Sequence, residues 1–333
     1  MRTLAAFVSA ILATALAPPA SAQTAPTPAK AAQPAASVDA KPAKELFGAA
    51  KTPASLAPSA IGFYARGCLA GAKPLAIDGP AWQAMRLSRN RNWGHPRLVA
   101  LVERLAKEAQ KNDGWSGLLV GDMSQPRGGP MLTGHASHQV GLDADVWFTP
   151  MPDRRLSEKE REELSATSML GPDKLSVDPK LWTDSHVRLI KRAASYPEVD
   201  RIFVHPGIKK ALCEGADRVG SDRSWLGKVR PYWGHHYHFH IRLGCPKDSA
   251  SCRDQPAAPP GDGCGKEIAD WMALLTAPPK PAKPAPPPKP PMTLAELPGE
   301  CRAVLDAPAA AAQEATTTKP ASAPAVRAKA DRQ

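Results

Sequence analysis

The sequence contains no Cys-x2-Cys pair, no Lys-Thr-Gly string and no Gly-x-Ser-x-Gly string. The first absence disfavours a thiolate zinc finger, whose ligands come at that spacing. The other two argue against serine acyl-enzymes of the penicillin-binding and α/β-hydrolase types. Long apolar runs are also scarce. The one present, Thr3 to Ala17, is shorter than the roughly 20 residues that a bilayer span needs. It follows Met1-Arg2 and ends in Pro-Pro-Ala-Ser-Ala22, a small-x-small cleavage site. Residues 1–22 therefore read as a secretory signal peptide, and the mature chain is expected to be exported without a transmembrane anchor. No internal repeat is evident.

Six cysteines fit export, because an even number in an oxidising compartment reads as disulfides. Their pairing is open from spacing alone, although Cys245 and Cys252 are close enough for a local loop. The formal net charge is +11, of which residues 276–333 carry eight Lys/Arg and five Asp/Glu, a net of +3. The remainder suits an anionic partner, and export argues against nucleic acid. Proline, 37 residues in all, gathers at the two ends and leaves a folded part shorter than the chain. The expected organisation is a disordered Ala/Pro/Lys linker over 23–57 and a folded domain over 58–275. A Pro-rich strap over 276–306 contains Cys301, and a disordered tail covers 307–333.

What is present in force is histidine in two short strings. Trp233 to Arg242 holds four of the nine histidines. Tyr237, Phe239, Ile241 and Leu243 alternate with His238, His240 and Arg242, which predicts a strand with one apolar face and two imidazoles side by side on the other. About a hundred residues upstream, Gly134 to Trp147 contains His135 and His138, followed by Gly141-Leu-Asp-Ala-Asp-Val-Trp-Phe148. This segment alternates too, with Asp143, Asp145 and Trp147 on one face. Carboxylates are depleted in strands, so two of them in one strand suggest a job.

His-x6-Asp followed much later by His-x-His resembles the zinc peptidases of the lysostaphin, D-Ala-D-Ala peptidase and hedgehog group. The longer strings His-Ala-Ser-His-Gln, Gly-Leu-Asp-Ala-Asp-Val-Trp, Arg127-Gly-Gly-Pro130 and His235-x2-His238-x-His240 narrow the resemblance to the penicillin-insensitive murein endopeptidase family, over roughly residues 58–272 plus Cys301. The resemblance implies an α+β fold with a central antiparallel sheet presenting the ligands and helices behind it. It implies a catalytic Zn2+ on His138, Asp145 and His240, with one position left for water. His238 then serves as general base and acid, assisted by His235. His135 is a neighbouring donor or the ligand of a second metal, Asp143 orients a ligand, and Asp173 aligns with a further acidic position. The implied disulfides are Cys68–Cys301, Cys213–Cys264 and Cys245–Cys252. The implied activity is periplasmic hydrolysis of the D-alanyl–meso-diaminopimelyl cross-link of peptidoglycan, whose free carboxylates would suit the basic chain. The competing readings are a non-catalytic zinc-containing wall-binding module and a periplasmic metal carrier.

Around these strings, a helix is expected from His95-Pro96 to about Gln110 and a strand over 117–124. A further helix covers 184–196, with His186 in a structural role. Gly128-Gly129 is expected either to let substrate approach the backbone beside the metal or to form an ordinary turn. The basic stretch Arg86 to Asn92 is expected to be a solvated face or the wall of a cleft for an anionic peptide.

Overall fold

The computed structural model describes residues 41–278 and 289–310. The expected signal peptide, most of the linker, the middle of the strap and the tail beyond residue 310 lie outside the described residues. The chain begins with α1 (Ala43–Ala49) and a hairpin of β1 (Ser59–Phe63) and β2 (Arg66–Ala70). Four short strands follow, β3 (Lys73–Pro74), β4 (Asp78–Gly79), β5 (Trp82–Ala84) and β6 (Trp93–Gly94). Next come α2 (Pro96–Asn112), β7 (Leu118–Val120), β8 (Asp143–Trp147), α3 (Glu158–Glu163), α4 (Asp184–Ser195) and β9 (Val199–Val204). The last elements are α5 (Pro206–Gly215), β10 (Val229–Pro231), β11 (His238–Leu243), α6 (Lys266–Thr276) and α7 (Glu300–Asp306). Among the described residues no helix is long and apolar enough to cross a membrane.

The class is α+β, and seven strands form one sheet in the order β10-β9-β11-β8-β7-β5-β4. The sheet is mixed rather than wholly antiparallel. β9 pairs parallel to β10, and β5 parallel to β7. Each of these pairs is joined through a helix, α5 or α2, because parallel neighbours need a crossover connection. The strands at the centre, β9, β11, β8 and β7, pair antiparallel.

Local sequence explains the main elements. His95 caps α2, its Nδ1 accepting the Arg97 N–H at 3.3 Å, and Pro96 fills the first helical position. Leu98, Leu101, Val102, Leu105 and Ala109 then recur on the face that joins Val146, Phe239 and Ile241 in the main core. Ser157 and Glu160 make the reciprocal capping box that opens α3. His186 does structural work in α4. Its Nδ1 accepts the Thr183 N–H at 3.1 Å, its Nε2 lies 3.2 Å from the Phe148 carbonyl, and it stacks on Trp182.

The folded part starts earlier than the expected boundary at 58. α1 buries Ala43 and Phe47 completely, in a second core shared with Ile61, Cys68, Leu294 and Val304. The expected linker over 23–57 therefore ends by residue 42. The short Ala/Lys-rich segment hides one aromatic anchor, and a partner surface receives it. That surface is the Gly128-Gly129 loop. Both glycines have positive φ, and a Cβ on Gly129 would lie 2.1 Å from the Phe47 ring. Gly129 serves packing against α1, and a Cβ on Gly128 would lie 2.1 Å from the Gln139 carbonyl, so both glycines pack against the protein itself, as in an ordinary turn, and not against substrate.

Cys68 is joined to Cys301, Cys213 to Cys264 and Cys245 to Cys252. The first bond draws α7 onto the hairpin from 233 residues away. Arg127 completes this junction. Its Nη1 donates to the carbonyls of Val304, Leu305 and Ala307 at 2.7–2.8 Å, and its Nε donates to Thr52 at 3.2 Å. It thereby supplies partners to the carbonyls that the end of α7 leaves unmet.

Arg127→Met should cost about 2–3 kcal/mol, because it leaves several carbonyls without a charged donor. The check is the midpoint of denaturant unfolding with disulfides intact, and an unmoved midpoint would contradict it. For His186, burial lowers the pKa from 6.5 to about 4. The unfolded imidazole takes up a proton below about pH 6.5, whereas the folded one resists until about pH 4. Its contribution to stability is therefore intact above pH 6.5 and shrinks as pH falls towards 4. The difference in unfolding free energy between the natural protein and His186→Gln should narrow by roughly 3 kcal/mol between pH 7 and pH 4. A difference that is constant with pH would show that His186 is not held neutral.

Candidate metal centre

The register of two central strands builds the site. β11 runs antiparallel to β8 with His238 opposite Trp147, His240 opposite Asp145 and Arg242 opposite Asp143. Ala144, Val146, Phe239 and Ile241 point into the main core at 0% exposure. The alternation therefore forces Asp143, Asp145, His238 and His240 together on the other face. His138 reaches the same place from the loop before β8, in a left-handed backbone conformation with φ 68°. Ser124 Oγ donates to its carbonyl at 2.7 Å, and its own N–H donates to Asp143 Oδ2 at 3.0 Å.

Hydrogen bonds fix which ring nitrogens face the centre. His138 Nδ1 lies 2.7 Å from the Met123 carbonyl, which can only accept, so Nδ1 carries the proton and Nε2 presents a lone pair. His240 Nε2 lies 2.9 Å from Asp143 Oδ1, so Nδ1 is its free nitrogen. Asp143 is itself held by Arg242, whose Nε donates at 2.8 Å. The freed nitrogens converge on one oxygen. Asp145 Oδ1 lies 3.5 Å from His138 Nε2, 3.5 Å from His238 Nε2 and 3.3 Å from His240 Nδ1. His135 Nε2 approaches the other oxygen, Oδ2, at 3.5 Å.

The electrostatics follow from burial and charge. Burial opposes ionisation of Asp143, but Arg242 and His240 hold its carboxyl far below the usual range. Burial likewise opposes ionisation of Asp145, and His238 and His138 outweigh it. His238 and His240 are pushed down to about 4, chiefly by burial, and are neutral near pH 7. Burial also works to lower His138, but Asp145 and the other carboxylates raise it above its ordinary value. His138 Nε2 and Asp145 Oδ1, which face each other at 3.5 Å, are buried polar atoms without a hydrogen-bond partner. Lone pairs aimed at one another in a dry site are costly unless a cation lies between them. His135, His138 and Asp145 each offer a donor atom within 4.8 Å of the others, so the residues fit a divalent metal.

The profile of the family described as penicillin-insensitive murein endopeptidase matches residues 60–306. The chain belongs to this family. Murein endopeptidases of that description include one from Yersinia enterocolitica, 44% identical over 254 residues, which covers 76% of this chain and 88% of the relative. Another, from Haemophilus influenzae, is 45% identical over 225 residues, 67% of this chain and 75% of the relative. A third, from Salmonella heidelberg, is 43% identical over 250 residues, 75% and 87% respectively.

In this murein endopeptidase family member, the other expected residues divide. His235, also in a left-handed conformation, packs 4.9 Å from the His238 ring, and its Nδ1 donates to the Trp233 carbonyl at 2.7 Å. His135 Nε2 lies 3.1 Å from Asp122 Oδ2, a partner His240 Nδ1 does not have. Asp173 stands apart and serves its own loop, where its carboxylate accepts from the N–H groups of Leu175 and Ser176.

Asp122 is the residue that sequence reasoning missed. It is buried and receives Arg91 at 2.8 Å, Arg89 at 3.0 Å and His135. Asp145 N donates to its carbonyl at 3.0 Å, which extends the β7–β8 pairing past the last residue of β7. The signal for it was an aspartate at the end of a strand beside an arginine cluster. Arg86 and Arg89 line a cleft together with His238, Trp147 and Tyr237, so these two residues of the Arg86–Asn92 stretch form a wall of the site. A second, more apolar cleft opens on the other side of His135, between Phe203, Tyr232 and His235.

Asp143→Asn keeps the shape but removes the charge that fixes His240. Zn2+ affinity, measured by calorimetric titration, should fall 10–100-fold. Unchanged affinity in a folded variant would contradict His240 as a ligand through Nδ1.

Proposed function

We propose that this chain is a periplasmic zinc endopeptidase that hydrolyses the peptide cross-links of peptidoglycan at the D-alanyl–meso-diaminopimelyl amide. Family membership supports the substrate class, and the signal-peptide pattern at residues 1–22 with three disulfides supports the compartment. The observation that carries the chemistry is the convergence of three imidazole nitrogens on Asp145 Oδ1 beside an open cleft, with His138 Nε2 and Asp145 Oδ1 unpartnered.

His138, Asp145 and His240 would hold the ion. When bound, Zn2+ supplies Lewis-acid polarisation of the scissile carbonyl and lowers the pKa of water at its open position. The remaining work falls to the protein. Asp143 and the Met123 carbonyl fix the tautomers of His240 and His138, so that both present lone pairs inward. His238 is neutral near pH 7 and is the group to accept a proton from the attacking water and return it to the departing amine. His235 stands next to it with its Nδ1 proton donated to the Trp233 carbonyl, so its Nε2 presents a lone pair that suits assisting the proton transfer. Asp122 retains His135 at the rim, as a neighbouring donor.

Zinc-loaded protein should convert cross-linked muropeptide dimers to monomers, read by chromatography and mass spectrometry. His238→Ala should lower the rate 10²–10⁴-fold while zinc stoichiometry stays the same. Dimers left intact by the zinc-loaded natural protein would sink the endopeptidase reading. Retention on the sacculus without cleavage would instead indicate a wall-binding module.

A further inference from the structure

The wall of the cleft beside the metal centre carries two arginines with different occupations. The Arg86 guanidinium is used up. Its Nη1 donates to Arg161 O at 2.8 Å and to Glu162 O, and its Nη2 donates to Leu164 O at 2.7 Å. Arg89 makes one bond among the described residues, from Nη1 to Asp122 Oδ2 at 3.0 Å, and its side chain is 46% exposed to the cleft. Its Nε and Nη2 are free to donate. Asp122 does not need Arg89 for neutralisation, because the buried Arg91 also binds it at 2.8 Å.

The turn that presents Arg89 is built at a cost. Residues Leu87–Arg89 form a single 3-10 turn between Arg86 (φ 57°) and Asn90 (φ 51°), two non-glycine residues in the left-handed region. Glu162 pins the turn through the N–H and hydroxyl of Ser88 at 2.7 and 2.9 Å, and Asn90 Oδ1 accepts from Trp93 Nε1 at 2.8 Å. An arginine fixed at its base, anchored at one nitrogen and open at the others suits bidentate recognition of a carboxylate.

We propose that Arg89 is the specificity-determining residue of this cleft. It binds a free carboxylate on the substrate residue that supplies the scissile nitrogen. The inference rests on the endopeptidase reading and deepens it. In the proposed cross-link, the carbon bearing the scissile nitrogen also bears a free carboxylate. His238, the proton carrier for that nitrogen, lines the same cleft as Arg89, Trp147 and Tyr237. A nitrogen directed at His238 therefore brings its neighbouring carboxylate into the arginine-lined side. The other cleft, with Phe203 and Tyr232, offers no free guanidinium: its Arg242 is committed to Asp143 and Gln255. The two sides of the scissile bond thus meet different chemistry.

The test compares two muropeptide dimers, one with this carboxylate free and one with it converted to the carboxamide. The zinc-loaded natural protein should prefer the free acid by roughly tenfold or more in kcat/KM, the scale of a charge-assisted pair. The preference should collapse towards unity in Arg89→Ala, mainly through KM, and return in part in Arg89→Lys. Zinc content and circular dichroism verify that each variant is folded and loaded. Equal treatment of the two substrates by the natural protein would overturn the proposal. So would equal losses on both substrates in Arg89→Ala, which would make Arg89 a support for Asp122 alone. Cleavage of neither dimer by the natural protein would overturn the endopeptidase reading itself.

Discussion

The pairing of β8 with β11 is the constraint on which the site depends. Asp145 stands opposite His240, and every neighbouring side chain follows from that register. Strand alternation has a period of two, so a slip of one residue would send His238, His240 and both aspartates into the core and Phe239 and Ile241 out. Burying several large apolar side chains on one face, at about 25 cal/mol per Å², holds the register. The energy that assembles the site is thus hydrophobic, and it is drawn from the opposite face of the same two strands. This explains how a cluster of three carboxylates, Asp122, Asp143 and Asp145, and four imidazoles survives at the centre of the sheet. No polar attraction needs to bring these groups together, and the charge that accumulates is balanced locally by Arg242 and Arg91.

Around this centre the protein uses a recurring device: a polar group outside the cluster determines what the inner group presents. Met123 O does so for His138, Asp143 for His240, Trp233 O for His235 and Asp122 for His135. All four of these helpers lie in loops or at a strand end. Several of the strained backbone positions lie there as well, at His138, His235, Arg86 and Asn90. Strain of this kind persists where surrounding bonds over-determine the conformation, and it concentrates around the cleft.

How much was legible in the sequence depended on whether the signal was periodic. Both alternating strands, α2 with its His95-Pro96 start and the structural role of His186 were readable because each rests on spacing within a few residues. The grouping of His138, Asp145 and His240 as ligands came from the resemblance in their strings; in the structure His138 Nε2 and His240 Nδ1 lie 3.5 and 3.3 Å from Asp145 Oδ1. What was not legible depends on contacts far apart in the chain. Asp122 gains its role only when β7 delivers it beside β8. Gly128-Gly129 looked like a loop for substrate, because nothing local reveals that Phe47 fills the space. α1 was hidden in composition typical of a linker. Two parallel strand pairs escaped notice because their partners are separated by whole helices. Asp173 matched a position but sits in a loop that closes on itself.

The small second core has an implication for how the molecule is made. Its walls come from both ends of the folded chain, Phe47 and Ile61 on one side and Leu294 and Val304 on the other, with Cys68 bound to Cys301 between them. Until the last of these residues has been made, the first ones lack one wall of their packing. Synthesis delivers the chain from one end, so Phe47 must wait, only partly covered, for more than two hundred residues to arrive. Final closure is therefore an event of the finished polypeptide, sealed by oxidation of Cys68 with Cys301, and a chain cut short before Cys301 would leave this face of the hairpin open.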